Sequence, residues 1–440
     1  MFQSGEPQFS QLPICPSTFF AREVIARSVN NHATRADVDP MSTHGEQDRW
    51  FGAGRSTAED GYEAGREAAR AAQVGPATKL LLIFCSASYE PGPVLDGICS
   101  VTDDSTLVVG GTSMGELAWD GLSEFSASTA PSVAVAALGG AGFEAYTSVT
   151  RDASRDRRGA GTAAAAVMDT VASDHKVMLM IVDGLTREQH EIVRGAYSVL
   201  GATVPIVGGC SADNLEYTRT LQFHGTGAAV EVLVDSVVAV GLGSSAPFGV
   251  GIDHGWEKHG NPMVVTRSEG GEVFLIDNEP AIDVYLRGVG ADRSLLENEA
   301  KFREILFDQP LGLSRGGGED IRVVHSADPA NGSLLCLADV PQGALVWTLH
   351  TDPAALVSSA GRSCHMAIEA LDGSRPIGLL VFDCGARKVK LGVEKLSDEQ
   401  EAIAAEVGAP FAGFYTFGEI ARTHGSRGMH HLTVATLAIG

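Results

Sequence analysis

The 440-residue sequence has few aromatic residues and no long apolar segment. Aromatic side chains make up 6% of the chain, against 52 glycines, which argues against a surface that stacks nucleic-acid bases. The longest uncharged run, residues 236–252, is broken by Gly, Ser and Pro, so we expect no transmembrane helix. The N-terminus lacks a basic segment followed by an apolar core, so we expect no signal peptide and a cytoplasmic location.

Positive charge is also scarce. The chain has 32 Lys and Arg against 55 Asp and Glu, which gives a formal net charge of −23. Nucleic acids and anionic membranes are bound through clustered Lys and Arg, so we expect neither as a partner. Seven cysteines, an odd number without a CxxC pair, favour free thiols in a reducing cytoplasm over disulfides or a zinc site. We therefore predict no metal site and no cofactor.

The chain does contain an internal repeat. The apolar run 79–84 matches 177–182 at an offset of 98, and further matching blocks follow in the same order: 96–101 with 194–199, 107–113 with 205–211, and 132–139 with 236–243. A weaker third copy covers 377–438. Each copy reads helix, strand, helix, strand, polar loop, strand, with a parallel first crossover and an antiparallel closing strand. The sequence therefore predicts an α/β fold with mixed sheets.

Domain boundaries follow from the repeat. Residues 1–48 contain four prolines and show no sustained periodicity, so we expect an irregular N-terminal extension. Within it, we expect residues 1–40 to be loosely attached or to reflect an upstream translation start. Residues 49–245 are predicted to form an N-terminal domain with the duplicated unit, and residues 246–440 a C-terminal domain. Within the latter, residues 246–350 read as short strands of a largely antiparallel sheet with one solvated face.

The first predicted helix spans about residues 58–73. Ser56 and Glu59 have the spacing of a capping box, in which a hydroxyl and a carboxylate satisfy free N–H groups at the helix start. Gly75-Pro76 ends this helix, and the apolar run Leu80 to Phe84 follows as a buried strand.

Small, polar or thiol-bearing residues follow the strands of each copy. In sheets with parallel strands, ligands bind outside the carboxyl ends of the strands, where the connecting loops diverge. We therefore predict a ligand pocket between the duplicated domain and the C-terminal module. Its predicted residues are Gly110, Gly111, Thr112, Ser113, Gly208, Gly209, Cys210, Ser211, Cys384, Arg387, Tyr415, Gly418 and Glu419.

These residues suggest a ligand that carries a carboxylate. Gly208 and Gly209 would offer backbone N–H groups, and Arg387 would pair with the ligand carboxylate. Glu419 would pair with a cationic group such as an α-amine, and Tyr415 would form a wall of the pocket. The expected ligand is an amino acid or another small carboxylate.

Two motifs leave an enzyme open as an alternative. Gly111–Gly115 matches the G-x-S-x-G nucleophile elbow, but no helical pattern follows Ser113 and the second copy lacks the motif. Cys384 lies three residues before Arg387, whose charge could favour a thiolate, although a buried free thiol is the simpler interpretation. We predict no catalytic residue. A protein-interaction scaffold without a small ligand is a further alternative.

Several segments resemble FIST-domain proteins. Phe382-Asp-Cys-Gly-Ala-Arg387 is similar to the family's Phe-x-Cys-x-x-Arg, and 413–420 resembles its closing motif. With the order of the other segments, residues 50–440 resemble an N-terminal FIST module followed by a C-terminal one. The resemblance implies an intracellular sensory module that binds small ligands, with amino acids proposed. We recognise no output domain, so we expect a stand-alone module that signals through a protein partner. Haem-binding gas sensors also occur in the family, and that alternative stays open.

Overall fold

The chain folds as three copies of one α/β unit, with an antiparallel sheet inserted in the third copy. A computed structural model describes residues 49–123, 130–315, 318–422 and 428–440, and the predicted extension 1–48 lies outside the described residues. The predicted α/β class with mixed sheets is confirmed.

The first unit opens with a strand that the sequence pattern did not reveal. Its elements are β1 (Trp50–Ser56), α1 (Gly61–Ala72), β2 (Thr78–Ser86), α2 (Pro91–Cys99), β3 (Leu107–Ser113), β4 (Glu116–Trp119) and β5 (Val133–Gly139). β2 and β3 are parallel, and β5 returns antiparallel to β2, as predicted.

The predicted cap of the first helix is wrong. Asp60 is the N-cap of α1, and its side chain accepts a hydrogen bond from the backbone N–H of Glu63. Ser56 instead ends β1, where its hydroxyl donates to Glu67 at 2.7 Å. Capping spacing alone could not choose between the two start points, because pairing of β1 with β5 decides where the chain can turn into the helix.

The second unit repeats this arrangement. Its elements are β6 (Phe143–Thr150), α3 (Arg157–Ala165), a 3₁₀ turn (Ala166–Thr170), β7 (His175–Val182), α4 (Gln189–Leu200), β8 (Ile206–Cys210), β9 (Gln222–Thr226), β10 (Ala229–Leu233) and β11 (Val237–Ser244). Equivalent glycines hold its helices together as in the first unit. A Cβ on Gly97 would lie 2.0 Å from Tyr62 O, and one on Gly195 would lie 2.0 Å from Arg158 O. Such close approach requires glycine.

The third unit begins at β12 (Phe248–Asp253) and is interrupted by the inserted region. That region contains β13 (Glu257–Glu269), β14 (Glu272–Ile276), β15 (Glu279–Pro280), α5 (Ala281–Gly288), a 3₁₀ turn (Arg293–Glu297), α6 (Glu299–Asp308), β16 (Leu311–Arg315), β17 (Gly318–Arg322), β18 (Val324–Asp328), β19 (Ser333–Cys336) and β20 (Leu345–His350). All its strand pairs are antiparallel, as predicted.

The third unit then resumes. Its remaining elements are α7 (Pro353–Glu369), β21 (Gly378–Cys384), α8 (Gly385–Leu391), a 3₁₀ turn (Val393–Lys395), α9 (Leu396–Val407), β22 (Phe411–Thr416), β23 (Glu419–Arg422), β24 (Met429–His430) and β25 (Val434–Ile439). β21 and β22 are parallel, and β25 is antiparallel to β21, which confirms the third copy predicted from the sequence.

Each of the three sheets is completed by a strand from another unit. The sheet orders are β1-β5-β2-β3-β9-β10, β24-β23-β8-β7-β11-β6 and β12-β25-β21-β22-β4. The first unit thus donates β4 to the third sheet, the third unit donates β23 to the second, and the second donates β9 to the first. The exchange links the two halves of the chain on both sides of the predicted boundary at residue 245, whose exact position stays a prediction.

The three sheets share one apolar core, because their central strands are buried on both faces. Leu82 and Phe84 of β2 meet Phe382 of β21 and Phe414 of β22 in this core. The rings of Phe84 and Phe414 stack with centroids 4.7 Å apart. The alternate residues of β2 face α1 and α2 instead. Burial on two faces explains why these strands read as continuous apolar runs.

Candidate functional site

A cavity lies where β23 of the third unit joins the second sheet. It measures about 550 Å³. Gly184 follows the end of β7, Cys384 ends β21 and Thr416 ends β22, and all three line this main cavity. The cavity therefore lies at the carboxyl ends of parallel strands, between the duplicated half and the C-terminal half, as the sheet topology predicts.

The inserted region supplies another wall of the main cavity. Val323, His325, Cys336 and Leu337 reach it from the antiparallel sheet and Phe307 from α6. Without the insertion this edge would be an open groove, so the insertion makes it a concave pocket.

Exposed apolar side chains converge on the main cavity. Leu215, Tyr217, Phe307 and Leu337 are 37%, 59%, 37% and 48% exposed, and all four line it. Tyr217 stacks on Phe417, with ring centroids 5.1 Å apart. Exposed apolar groups that gather in one concave place mark a binding surface, since scattered ones need no explanation.

A second cavity of about 300 Å³ adjoins the main one. The two cavities share Gln189, Leu337 and His431 as lining residues. We call the smaller one the side cavity. Its other lining residues are His190, Arg194, Tyr197, Asp320, Arg322, Ala338, Asp339, Arg422 and Met429. Burial lowers the pKa of His431 to about 4, so this imidazole is neutral near pH 7.

A third cavity, of about 60 Å³, lies where β4 of the first unit joins the third sheet. Tyr415 and Glu116 line it, as do Ser86 and Lys388. The Lys388 ammonium donates to Met114 O at 2.5 Å and lies 5.4 Å from the centroid of the Tyr415 ring. The Lys388 side chain is therefore held at this junction, where the cavity is much smaller than the main cavity.

Arg387 lies in a buried ion network and lines none of these three cavities. Its Nε donates to Asp383 at 2.6 Å, and its terminal nitrogens donate to Glu399, Ser359 and two backbone carbonyls, those of His254 and Leu356. These bonds occupy all five N–H groups of a guanidinium. They favour a structural role over the ligand contact expected from the sequence.

Burial shapes the ionisation of this network. Arg387, Asp383 and Glu399 are fully buried. Burial, and then the charge of Asp383, raise the pKa of Glu399 to about 8. Tyr415 donates its hydroxyl to Glu399 at 2.7 Å, which explains why its ring is fixed beside the small cavity.

Glu419 is also bound within the protein. It accepts hydrogen bonds from the hydroxyl of Thr416 at 2.6 Å and from the hydroxyl and N–H of Thr433 at 2.8 and 3.1 Å. Burial raises the pKa of Glu419 to about 8. Glu419 thus links Thr416, where the chain leaves the third unit, to Thr433, where it returns to that unit. We call this contact a staple.

The first unit contains the same staple. Glu116 accepts hydrogen bonds from Ser113 and Ser132, which stand where Thr416 and Thr433 stand in the third unit. Ser113 is followed by β4 and not by a helix, so the G-x-S-x-G match is this staple and not a nucleophile elbow.

The remaining predicted residues lie mainly in the strands. Gly110 and Gly111 are in β3 between β2 and β9, and Gly208 and Gly209 are in β8 between β7 and β23. Their backbones therefore belong to sheet ladders. Thr112 accepts from the N–H of Leu221 at 3.0 Å.

Buried hydroxyl and thiol groups complete the predicted set. Cys210 and Ser211 are fully buried, and Gly418 donates its N–H to Thr416. Cys384 is the predicted residue that lines the main cavity, and burial raises the pKa of its thiol well above the ordinary value. A raised pKa keeps the thiol protonated, and a protonated thiol is a poor nucleophile.

Among the described ranges, no group of three or more His, Cys, Asp or Glu side chains could hold a metal ion. In the same ranges, no helix is long and apolar enough to cross a membrane.

The sequence reading missed most of the cavity wall. Phe417 lies within the predicted loop between Tyr415 and Glu419 and could have been included on that ground. Phe307 and His325 gave no sequence signal, because they reach the cavity only through the packing of the insertion.

Strand-end loops that meet an inserted sheet over a cavity define a module of the α/β class. The chain belongs to the FIST family: the FIST N domain matches residues 79–279 and the FIST C domain matches residues 281–422. The family resemblance predicted from the sequence is thereby confirmed.

Similar mycobacterial proteins carry the name of uncharacterized proteins. One from Mycobacterium tuberculosis is 25% identical over 268 residues, which cover 59% of this chain and 67% of that protein. One from Mycobacterium bovis is 27% identical over 211 residues, which cover 47% of this chain and 53% of that protein. These relatives support common ancestry and carry no information about a ligand.

Proposed function

We propose that this protein is a cytoplasmic sensory protein that binds a small organic ligand in the main cavity and acts through a protein partner. FIST domains are generally proposed to be sensory domains. The observation that carries the proposal is the convergence of exposed apolar side chains on a cavity at the strand ends. Its volume of about 550 Å³ is within the usual range for small-molecule sites.

An amino acid or another small carboxylate is the proposed ligand. Arg187, and not Arg387, supports this ligand class, because Arg187 is exposed and lines the main cavity. The loop from Gly184 to Gln189 also lines it, with the start of α4. A guanidinium can bind a carboxylate through two parallel hydrogen bonds.

The test is native mass spectrometry of gently purified protein, followed by thermal-shift measurements with amino acids. We expect a co-purifying small mass, or a stabilising shift with a carboxylate ligand. Leu337→Trp should fill the cavity and abolish either signal. Leu345→Trp is the matched control, since Leu345 is 44% exposed in the inserted sheet and lines none of the three cavities.

An apo mass with no thermal shift would contradict small-ligand binding and favour the protein-interaction scaffold. Equal loss of signal in the Leu337→Trp and Leu345→Trp variants would show that the signal does not arise in the main cavity.

Haem is a second candidate ligand. His325 and His431 line the same cavity, and burial lowers the pKa of both imidazoles, which keeps a nitrogen lone pair available. Bound haem would supply an iron centre for a diatomic gas. An absorption spectrum of the same purified protein tests this candidate, since a Soret band lost in His431→Ala would establish it.

A further inference from the structure

We infer that the ligand is an anion with an aromatic body, which places its aromatic part in the main cavity and its anionic group in the side cavity. This inference rests on the proposed function, and it replaces Arg187 with the arginines of the side cavity as the partners of the anionic group. The two cavities share the side chains of Gln189, Leu337 and His431, so one molecule can occupy both.

The aromatic part is inferred from the shape of the main-cavity wall. Tyr217 and Phe417 are stacked at 5.1 Å with 18° between their planes, and so present aligned rings. Phe307 and Leu337 are exposed in the same cavity. Aromatic and aliphatic walls bind flat apolar groups through burial and through offset or edge-to-face ring contacts.

The anionic group is inferred from the charges around the side cavity. Arg194, Arg322 and Arg422 line it, against the two carboxylates Asp320 and Asp339. Three guanidinium groups in one small cavity are notable in a chain of net charge −23. The side cavity therefore offers several guanidinium donors to an anion, although neighbouring carboxylates balance their charge.

Protein contacts orient these guanidinium groups. Arg322 donates to the backbone carbonyl of Asp339 at 2.9 Å and pairs with Asp320 at 3.4 Å. The Arg422 guanidinium lies over the ring of Tyr197. Groups held in this way lose little conformational freedom when they bind an anion.

Arg194 is the most accessible of the three. Its side chain is 54% exposed and pairs with Glu191 of the same helix at 2.5 Å. His190 lies four residues earlier on α4, so both side chains project from one face of the helix. Arg194 can therefore be replaced with little effect on folding, which makes it the residue for the test.

The experiment compares 2-naphthoate with its neutral isostere 2-naphthamide by isothermal titration calorimetry on the full chain. We expect 2-naphthoate to bind at least about tenfold more tightly, since a charge-assisted hydrogen bond is stronger than a neutral one. Arg194→Gln should weaken 2-naphthoate about tenfold and leave 2-naphthamide unchanged. Tyr217→Ala should weaken both probes.

The control is Arg303→Gln, which removes an exposed arginine of α6 that pairs with Glu299 and lines none of the three cavities. Equal binding of the two probes, or an equal effect of Arg194→Gln on both, would overturn the anionic class and leave the main cavity as a ligand site. Failure of both probes to bind at millimolar concentration would overturn the inference. A co-purifying mass lost in Leu337→Trp would still support the proposed function in that case.

Discussion

Two equivalent junctions between units differ in the size of the cavity that they leave. Where the third unit donates β23 to the second sheet, a cavity of about 550 Å³ is open, and where the first unit donates β4 to the third sheet, about 60 Å³ remains. Cys384 and Phe417 line the open junction, and their positional counterparts Ser86 and Met114 line the closed one. The strand exchange therefore creates the junction, and local side chains decide how large a cavity remains there.

The start of one helix accounts for the difference. In the third unit α8 begins at Gly385, directly after β21, which buries Arg387 and brings Lys388 into the closed junction. In the second unit β7 ends at Val182 and α4 begins only at Gln189. Arg187, the counterpart of Arg387, therefore lies on an exposed loop beside the open junction.

The largest effect is expected from removing the buried arginine. Arg387→Leu would leave Asp383 without its cationic partner in a fully buried place, so the free energy of unfolding should fall by about 3–5 kcal/mol. Arg187→Leu, at the equivalent exposed position, should change it by less than about 0.5 kcal/mol. Urea denaturation measures both. Similar losses in the two variants would remove the distinction drawn between the junctions.

A smaller effect is expected from the staples. Glu116→Ala and Glu419→Ala each leave two hydroxyl groups without their carboxylate acceptor, so each should lower the free energy of unfolding by about 1–3 kcal/mol. Chemical denaturation of both variants checks this. Were Glu419→Ala to lose ligand affinity without losing stability, Glu419 would be the ligand contact expected from the sequence.

A third effect concerns the pH dependence of stability. The pKa of Glu399 is raised from 4.5 to about 8 in the folded state, so the native protein holds a proton that the unfolded chain releases. The contribution of Glu399 to the free energy of unfolding should therefore fall as pH rises from about 5 to 8, and it should level off above that. Glu399→Gln, which cannot ionise, should flatten the dependence. Because the pKa of Glu419 is similarly raised, part of the pH dependence of stability should remain in the Glu399→Gln variant.

Denaturation midpoints at pH 5, 6.5 and 8 provide the measurement. Glu401→Gln, an exposed change on the same helix, is the control and should keep the slope of the parent protein. An unchanged slope in Glu399→Gln would contradict a protonated Glu399 in the folded protein.

Much of the fold was predictable because its strands are buried on both faces. The apolar runs at 79–84 and 177–182 marked β2 and β7, and their fixed spacing revealed the duplication. The opening strands β1 and β6 were not predicted. Each is an edge strand with a mixed pattern, and each is fixed by pairing with the closing strand of its unit.

The candidate site was less predictable than the fold. The strand-end rule placed a pocket between the two halves, and Cys384 does line the main cavity. Sequence could not distinguish Arg187 from Arg387, since both lie four residues after an aspartate that follows a buried strand. Burial and hydrogen bonding separate them, and both depend on neighbours distant in sequence.

Periodicity and spacing were sufficient to predict the three α/β units, the family and the edge of the sheets where loops gather, because they are local properties of the chain. Three features emerge only from the folded chain: the exchange of β4, β9 and β23, the place of Lys388 in the smaller junction, and the wall that the insertion adds to the main cavity. These outcomes depend on which surfaces meet, and contacts between distant segments leave no pattern in one sequence.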